Sequence, residues 1–511
     1  MPAISAHQYD DAQSVLDTIG RQLTIADDQL IEITKAFVEE FQLGLNNYGK
    51  DLAMIPTFVP GVPNGTEKGT FLALDLGGTN LRVCEVVLNG DKTFTLSQKK
   101  FKVSETLKQG EASALFDYIA GSVDSFLTSH SKMDYNNGKG TGDAVYLGFT
   151  FSFPVEQTAL AKGKILTWTK GYAAKNAIGN DVVQLLQDAF DRKHMHVKCI
   201  ALVNDTVGTL LTRAYIAGGA LIGAIFGTGT NGAYVEEISN LKKLAGTDAA
   251  KGEHMIINCE WGAFNNSRSH LPITPYDNTV DRLSINPKYQ TFEKFISGMY
   301  LGEIVRLIAV SLVDAVPHPI LFKGKSTAAL NKHYGLDTSF MSQVEEAWIG
   351  KDHSEDAYEL PPLGSDWDES KLNAKVVPKL QSIKQLVAST LEYKLEDVSL
   401  RDAAILRWLS ELVANRSAVL SGVAVAAVLV QTGRGRLPED TTTPLKAQND
   451  TLGVGVDGSL VEHYPNYEKK MRHSVRVIVG EQVEKRVDIG LAKDGSGVGA
   501  ALCALQALKQ L

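Results

Sequence analysis

Three short segments concentrate residues that could do chemistry. In Leu74-Asp75-Leu76-Gly77-Gly78-Thr79-Asn80-Leu81-Arg82 a carboxylate closes an apolar run and two glycines follow. Without a Cβ, the backbone N–H groups of such a turn can approach a bound anion closely. Asp75 could reach a magnesium ion through water, while Thr79, Asn80 and Arg82 offer donors to a phosphate; the plainer reading is a hairpin with a side-chain-capped turn. In Ile225-Phe226-Gly227-Thr228-Gly229-Thr230-Asn231-Gly232 glycines again join two strand-like runs. Gly227, Gly229 and Gly232 have the spacing of a dinucleotide fingerprint, but that motif must open a helix and 233–238 reads as a strand, which disfavours a nicotinamide-binding unit. Gly324-Lys325-Ser326 fails as a Walker phosphate loop because Pro319 stands where the first glycine should be. The third segment, Asn204-Asp205, ends the apolar run 200–203; taken alone it is a helix cap. Two glycine hairpins, one per half, fit a nucleotide held between two similar domains.

These segments need a scaffold of alternating strands and helices. Apolar and β-branched runs predict strands at 70–76, 81–88, 144–149, 197–203, 221–226, 233–238 and 255–259. Helical spacing predicts helices over 114–127, 178–192, 206–217, 291–312, 400–413 and 499–508. The alternation in both halves makes the class α/β. Clusters of Gly, Asp, Asn, Ser and Pro mark 61–69, 131–143, 239–252, 350–374 and 433–450 as loops. A chain of 511 residues exceeds what one core organises, so two domains are expected, with the chain crossing between them.

Composition removes other classes. A formal net charge of −8 has the wrong sign for a protein living on phosphate backbones or anionic lipid, so neither a nucleic-acid nor a membrane partner is expected. The apolar run 417–430 is short of the roughly 20 residues that span a bilayer and reads as a buried helix. The cysteines, Cys84, Cys199, Cys259 and Cys503, stand singly beside apolar residues without metal-ligand spacing and read as reduced core thiols. The first residues show no basic-then-apolar targeting pattern, making a cytoplasmic location the expectation.

The hairpins, together with Leu147-Gly148-Phe149-Thr150-Phe151-Ser152-Phe153-Pro154, Trp168-Thr169-Lys170-Gly171, Asn204-Asp205-Thr206 and Asn258-Cys259-Glu260-Trp261-Gly262, resemble the hexokinase family of the actin-like ATPase superfamily, in order from about residue 30 onward. Gly227-Thr228-Gly229-Thr230-Asn231 and the segment 492–502 look most like its fungal glucokinase branch. The resemblance implies two ribonuclease-H-like domains around a central cleft: a small one of 65–206 completed by 491–511, and a large one of 1–64 with 207–490. It implies ATP as phosphoryl donor with magnesium bridging its phosphates, D-glucose as the leading acceptor at its 6-hydroxyl with other hexoses beside it, and a monomer or homodimer.

Phosphorylating a hydroxyl needs a base at that hydroxyl, acceptors and donors around the others, and positive charge on the transferred group. The resemblance makes Asp205 the base, at a strand end facing a cleft, with Lys170 touching both sugar and phosphoryl group. It places Ser152, Phe153, Thr169, Lys170, Asn204, Asp205, Asn231, Glu260 and Glu293 around the sugar. It places Asp75, Gly77, Gly78, Thr79, Asn80, Arg82, Gly227, Thr228 and Gly229 on the nucleotide, with Gly458 and Ser459 at its adenosine end. Without the resemblance, Glu293 is a first-turn helix carboxylate favoured by the dipole and Lys170 an exposed loop lysine. One departure stands out: family members commonly carry Gly after Asn-Pro, whereas Asn286-Pro287 is followed by Lys288. Two other readings share these motifs, a broad-specificity hexokinase and a non-catalytic sugar sensor of the same fold.

Overall fold

The computed structural model describes residues 7–78, 80–129, 145–168, 171–350, 358–446 and 449–510. The candidates Thr79, Thr169 and Lys170, and the expected loop 131–143, lie outside the described residues.

Two sheets carry the architecture. The first contains β1 (Lys68–Leu76), β2 (Asn80–Asn89), β3 (Phe94–Lys102), β4 (Val145–Phe151) and β5 (Val197–Val203), in the order β3-β2-β1-β4-β5. The second contains β6 (Ile222–Phe226), β7 (Thr230–Glu237), β8 (His254–Asn258), β9 (Leu452–Asp457) and β10 (Val487–Leu491), in the order β8-β7-β6-β9-β10, with the short strand Ile55–Pro56 on the β8 edge. In each, an antiparallel meander is extended by two parallel strands, β1 with β4 and β4 with β5, then β6 with β9 and β9 with β10. This repeated order is the two-domain ribonuclease-H-like, actin-like ATPase fold that the resemblance implies. Central strands are continuous apolar runs because both faces are covered, as the unbroken burial of Phe71 to Leu76 shows. Strand β3 is missing from the sequence expectation because it is an edge strand whose sequence, FTLSQKKFK, is mostly polar and mostly solvated.

Six helices position the site. They are α1 (Asp27–Asn46), α2 (Asp205–Ala217), α3 (Pro275–Leu283), α4 (Thr291–Ile296), α5 (Leu400–Gln431) and α6 (Gly495–Leu508). Helix α2 is capped by Asn204, whose Oδ1 accepts the Thr206 N–H at 2.9 Å, and ends at Gly218 with φ +93°. It packs on β6, β7, β8 and β9 of the second sheet, while α6 packs on β1, β4 and β5 of the first. The two helices cross backbone to backbone: a Cβ on Gly499 would stand 2.1 Å from Gly208 Cα, and one on Gly208 2.8 Å from Gly495 O. Only glycines permit that approach.

Helix α5 runs through the largest core. Its capping box pairs Ser399 with Asp402, and the apolar run 417–430 forms its second half. By length and composition alone it could cross a membrane, yet 83% of its most apolar window is buried inside the protein. Its fully buried Arg416 is neutralised by Asp277 of α3, at 2.9 and 2.7 Å, which pins α3 to the core. All four cysteines are free and buried, and burial pushes the thiols of Cys84, Cys199 and Cys503 up to about 12.

The single helix expected at 291–312 is two, broken at Ser297. The break is tertiary in origin: the Gly298 N–H donates to Gly227 O at 2.7 Å and the Met299 N–H to Thr228 O at 3.2 Å. Here the chain gives up helix continuity to hold the second glycine hairpin.

Candidate active site

The sugar-facing candidates of the second sheet lie in one polar network. Asn231, on β7, donates Nδ2 to Asn258 Oδ1 at 2.8 Å and sits 3.5 Å from both Asn204 Oδ1 and Glu260 Oε1. Asn258 Nδ2 donates to Glu260 Oε1 at 2.8 Å, and the Gly232 N–H holds Asn231 Oδ1 at 2.7 Å. Glu293 Oε2 accepts the Thr230 N–H at 3.1 Å from the first turn of α4. A Cβ on Gly229 would stand 2.8 Å from that same oxygen, so the hairpin glycine makes room for the carboxylate. Glu260 sits in the left-handed region, φ +56°, directly before the short helical turn Trp261–Ala263.

Asp205 is the first residue of α2, adjoining Asn204 at the edge of this network. Its Oδ1 is held by the Thr206 N–H at 2.9 Å and Thr206 Oγ1 at 3.3 Å. Among the described residues its Oδ2 carries no hydrogen bond.

Ser152 and Phe153 follow β4. The Phe153 ring is buried and packs edge-on to Trp168 at 5.0 Å and Tyr172 at 4.9 Å, so its ring supports this wall rather than meeting solvent. Tyr172 OH donates to Gly77 O at 3.1 Å, tying the wall to the first glycine hairpin.

Asp75 lies buried at the end of β1, and its Oδ2 accepts Arg82 Nε at 2.9 Å, a further short bond from Arg82 Nη2, and Ser496 Oγ at 2.8 Å. Two of the three Arg82 nitrogens are therefore engaged within this cluster, and Nη1 stands 4.0 Å from Asp494. Gly77 and Asn80 close the β1–β2 turn through a 3.1 Å backbone bond. Gly227 and Gly458 lie against each other, since a Cβ on Gly227 would be 3.2 Å from Gly458 Cα. Gly458 itself has φ +122°, and a Cβ there would stand 2.4 Å from Phe226 O. Thr228 and Ser459 are exposed beside them. Asp457 ends β9, and its Oδ1 accepts the Gly458 N–H at 2.7 Å. Burial raises its pKa, and the Gly458 bond works against that rise.

Three residues near this site escape a reading of the sequence. Asn258 bridges Asn231 and Glu260; an amide closing the apolar run Met255-Ile256-Ile257 is the available signal. Asp457 stands within the glycine segment 454–459, where the glycines draw the eye and the carboxylate does not. Gln290 stands at the N-cap position of α4 with φ +57°, and a Cβ on Gly262 would stand 2.2 Å from its Oε1 and 3.3 Å from Glu293 Cβ, so its side chain lies against Gly262 close to Glu293.

Glu40 of α1 accepts the Asn265 N–H on Oε1 at 3.3 Å, while its Oε2 is buried without a partner among the described residues. Desolvation raises its pKa from 4.5 to about 7, tempered by the Asn265 bond and reinforced by Asp51. Between these two pH values the folded chain keeps a proton that the unfolded chain has released, so stability falls as pH rises through that window. Glu40→Gln should therefore stabilise the protein at pH 8 by about 1–2 kcal/mol, allowing for solvent access, or roughly 2–4 °C in Tm, and the gain should vanish near pH 4.5. Thermal unfolding of both proteins across this range checks it; a gain independent of pH would remove the protonated Glu40.

Comparison with known proteins gives this geometry its family. Two hexokinase sequence profiles match residues 15–215 and 221–506, which together take in nearly the whole chain, and the protein belongs to the hexokinase family. It is 39% identical to the glucokinase of Aspergillus niger, over 98% of each chain. It is 36% identical to glucokinase-1 of Saccharomyces cerevisiae, over 96% of this chain and 97% of that one. Among solved structures, the hexokinase from Schistosoma mansoni complexed with glucose superposes with a TM-score of 0.78 at 33% identity, covering 98% of this chain and 100% of that one.

Proposed function

We propose that the chain transfers the γ-phosphoryl group of ATP to the 6-hydroxyl of glucose. The observation that carries this is the Asn204–Asn231–Asn258–Glu260 network with Glu293 beside it, a ring of amides and carboxylates adjoining Asp205 and joined to the second glycine hairpin through Asn231 and Thr230. Such a mixture matches a polyol, each of whose hydroxyls both donates and accepts. The glucokinases of A. niger and S. cerevisiae and the glucose-bound S. mansoni hexokinase support the choice of sugar.

In this reading Asp205 Oδ2 takes the proton of the 6-hydroxyl as its oxygen attacks the γ-phosphorus. The bond to the β–γ bridging oxygen breaks and ADP leaves. Gly77, Gly78, Asn80, Gly227, Thr228 and Gly229 offer backbone and side-chain groups to the phosphates, and Gly458 and Ser459 border the adenosine. Magnesium, when bound, would neutralise phosphate charge. Asp75, whose Oδ1 carries no hydrogen bond among the described residues, would help to hold that ion through water. We further propose that 65–206 with 491–511 moves as a small domain against 1–64 with 207–490, supported by α6 packing on the first sheet. A cytoplasmic setting is proposed on the four unpaired buried thiols, which suit a reducing compartment.

The test is ADP release from ATP and magnesium across a hexose panel. Release should be near background without sugar, strongly stimulated by glucose and weakly by fructose, as for a glucokinase. Sugar-independent hydrolysis would overturn the kinase reading, and vigorous fructose turnover would replace it with a broad hexokinase.

A further inference from the structure

The start of α4, which carries the proposed sugar ligand Glu293, is tied down by one carboxylate. Asp281, near the end of α3, is 6% exposed and ties three segments together. Its Oδ1 accepts Lys294 Nζ at 2.7 Å and the Lys288 N–H at 3.0 Å, and its Oδ2 accepts the same Lys288 N–H at 3.2 Å and lies 3.3 Å from Arg268 Nη2. Lys294, 4% exposed and next to Glu293, also donates to Asn286 O and Tyr289 O, each at 2.8 Å. The loop 286–290 is thus slung between an acidic and a basic side chain, and it delivers Gln290 to the cap of α4. Its base is firm, because Asp277 anchors α3 to Arg416 of α5.

Within that sling Lys288 contributes only its backbone N–H. Its side chain is exposed, it forms no ion pair among the described residues, and its φ is +62°. A lysine in the left-handed region is strained where a glycine would not be. Gln290, two residues on, also has positive φ, at +57°.

We propose that Asp281 is a positioning residue for Gln290 and Glu293, and that the strained backbone at Lys288 sets the sugar affinity by keeping the loop from being fully pre-organised. The proposal rests on the sugar-binding reading above. The carboxylate sets the height of the loop and the start of α4; Lys288 makes the observed shape of that loop, which is taken as its binding shape, costly to hold before sugar arrives. Lys288→Gly removes the strain without touching any side-chain contact, so the loop is populated in its binding shape more of the time. The gain is limited by the extra freedom that glycine brings to the unfolded loop.

Glucose binding is measured by calorimetry on the full chain, together with KM and kcat. Lys288→Gly should lower the glucose Kd and KM about two- to fivefold, with kcat and the KM for ATP within about twofold of the parent. Asp281→Asn, which keeps the shape but loses the charge facing Lys294 and Arg268, should raise the glucose Kd and KM about tenfold or more, and change the KM for ATP little. A purely structural Asp281 would lower Tm and the active fraction but leave the glucose Kd of the folded protein unchanged, and that result overturns the positioning role. If Asp281→Asn does not fold, Lys288→Gly still decides, since a glycine is compatible with this backbone; an unchanged or weakened glucose Kd there overturns the proposal. A wild-type chain that binds glucose without turnover would remove only the kinase reading, because the calorimetric comparison stands by itself. One that binds no hexose overturns both.

Discussion

Asp205→Ala is expected to lower phosphoryl transfer about 10²- to 10⁴-fold while glucose still binds. The carboxylate is well placed for one task only. Its Oδ1 is turned back onto its own helix by Thr206, at 2.9 and 3.3 Å, so rotation about the side chain is restricted and Oδ2 is directed away from α2. The helix does not depend on it for a cap, because Asn204 supplies that bond, and alanine at the first helical position costs little. The proposed sugar ligands Asn231, Glu260 and Glu293, with Asn258 bridging the first two, are untouched by the change. The expected pattern is a collapse of kcat with a glucose Kd near that of the parent, read by steady-state kinetics and calorimetry. A variant keeping near-full turnover would take the base role from Asp205; one losing glucose affinity alone would make it a binding group.

The second large effect is on the fold. Gly499→Ala is expected to cost on the order of 3 kcal/mol, because the new Cβ would lie 2.1 Å from Gly208 Cα and 2.6 Å from both Gly208 C and O. All three are backbone atoms of a buried helix, and no rotamer change relieves them. Separation of α2 from α6 would also strain Thr212 Oγ1 to Gly495 O and Thr150 Oγ1 to Ser496 O, at 3.2 and 2.8 Å, which link the helices and the first sheet. Gly121→Ala is the matched control: in the helix Ala112–Ser129 its Cβ would meet only Lys193 side-chain atoms at 3.8 Å, so helix propensity should stabilise the chain by about 0.5–1 kcal/mol. Urea and thermal unfolding of both variants measure this. Equal effects of the same sign would mean that the glycine crossing is not what holds the sheets together.

Features with a local cause are legible in the order of residues. A carboxylate at the end of an apolar run, glycines at a turn and an Asn-Asp pair before a helix each announce themselves within a few positions, and Asn204, Asn231, Glu260 and Glu293 do come together. Features set by distant partners are not legible in this way. Asn258 matters because Asn231 and Glu260 flank it, and the break at Ser297 exists because Gly227 and Thr228 recruit two N–H groups. Strand β3 carries too little apolar character for its periodicity to stand out, and it is fixed by pairing with β2. The glycine at position 499 looks like a weak point in a helix until Gly208 is seen beneath it. Lys288 is visibly odd after Asn-Pro, but its meaning depends on Asp281, whose role no spacing rule would reveal.

The placement of α6 also bears on how the chain is made. The strands β1, β4 and β5 emerge early from the ribosome, but the helix that covers them is synthesised long after, a delay of roughly 15–60 s at 5–20 residues per second. Throughout that interval one face of the first sheet lacks its native cover, and the groove that will receive Gly499 on α2 is open. A premature stop shortly before residue 495 would thus leave the damage in the half of the molecule made first. The second sheet would be complete in sequence, while the first would present an apolar face to chaperones and proteases.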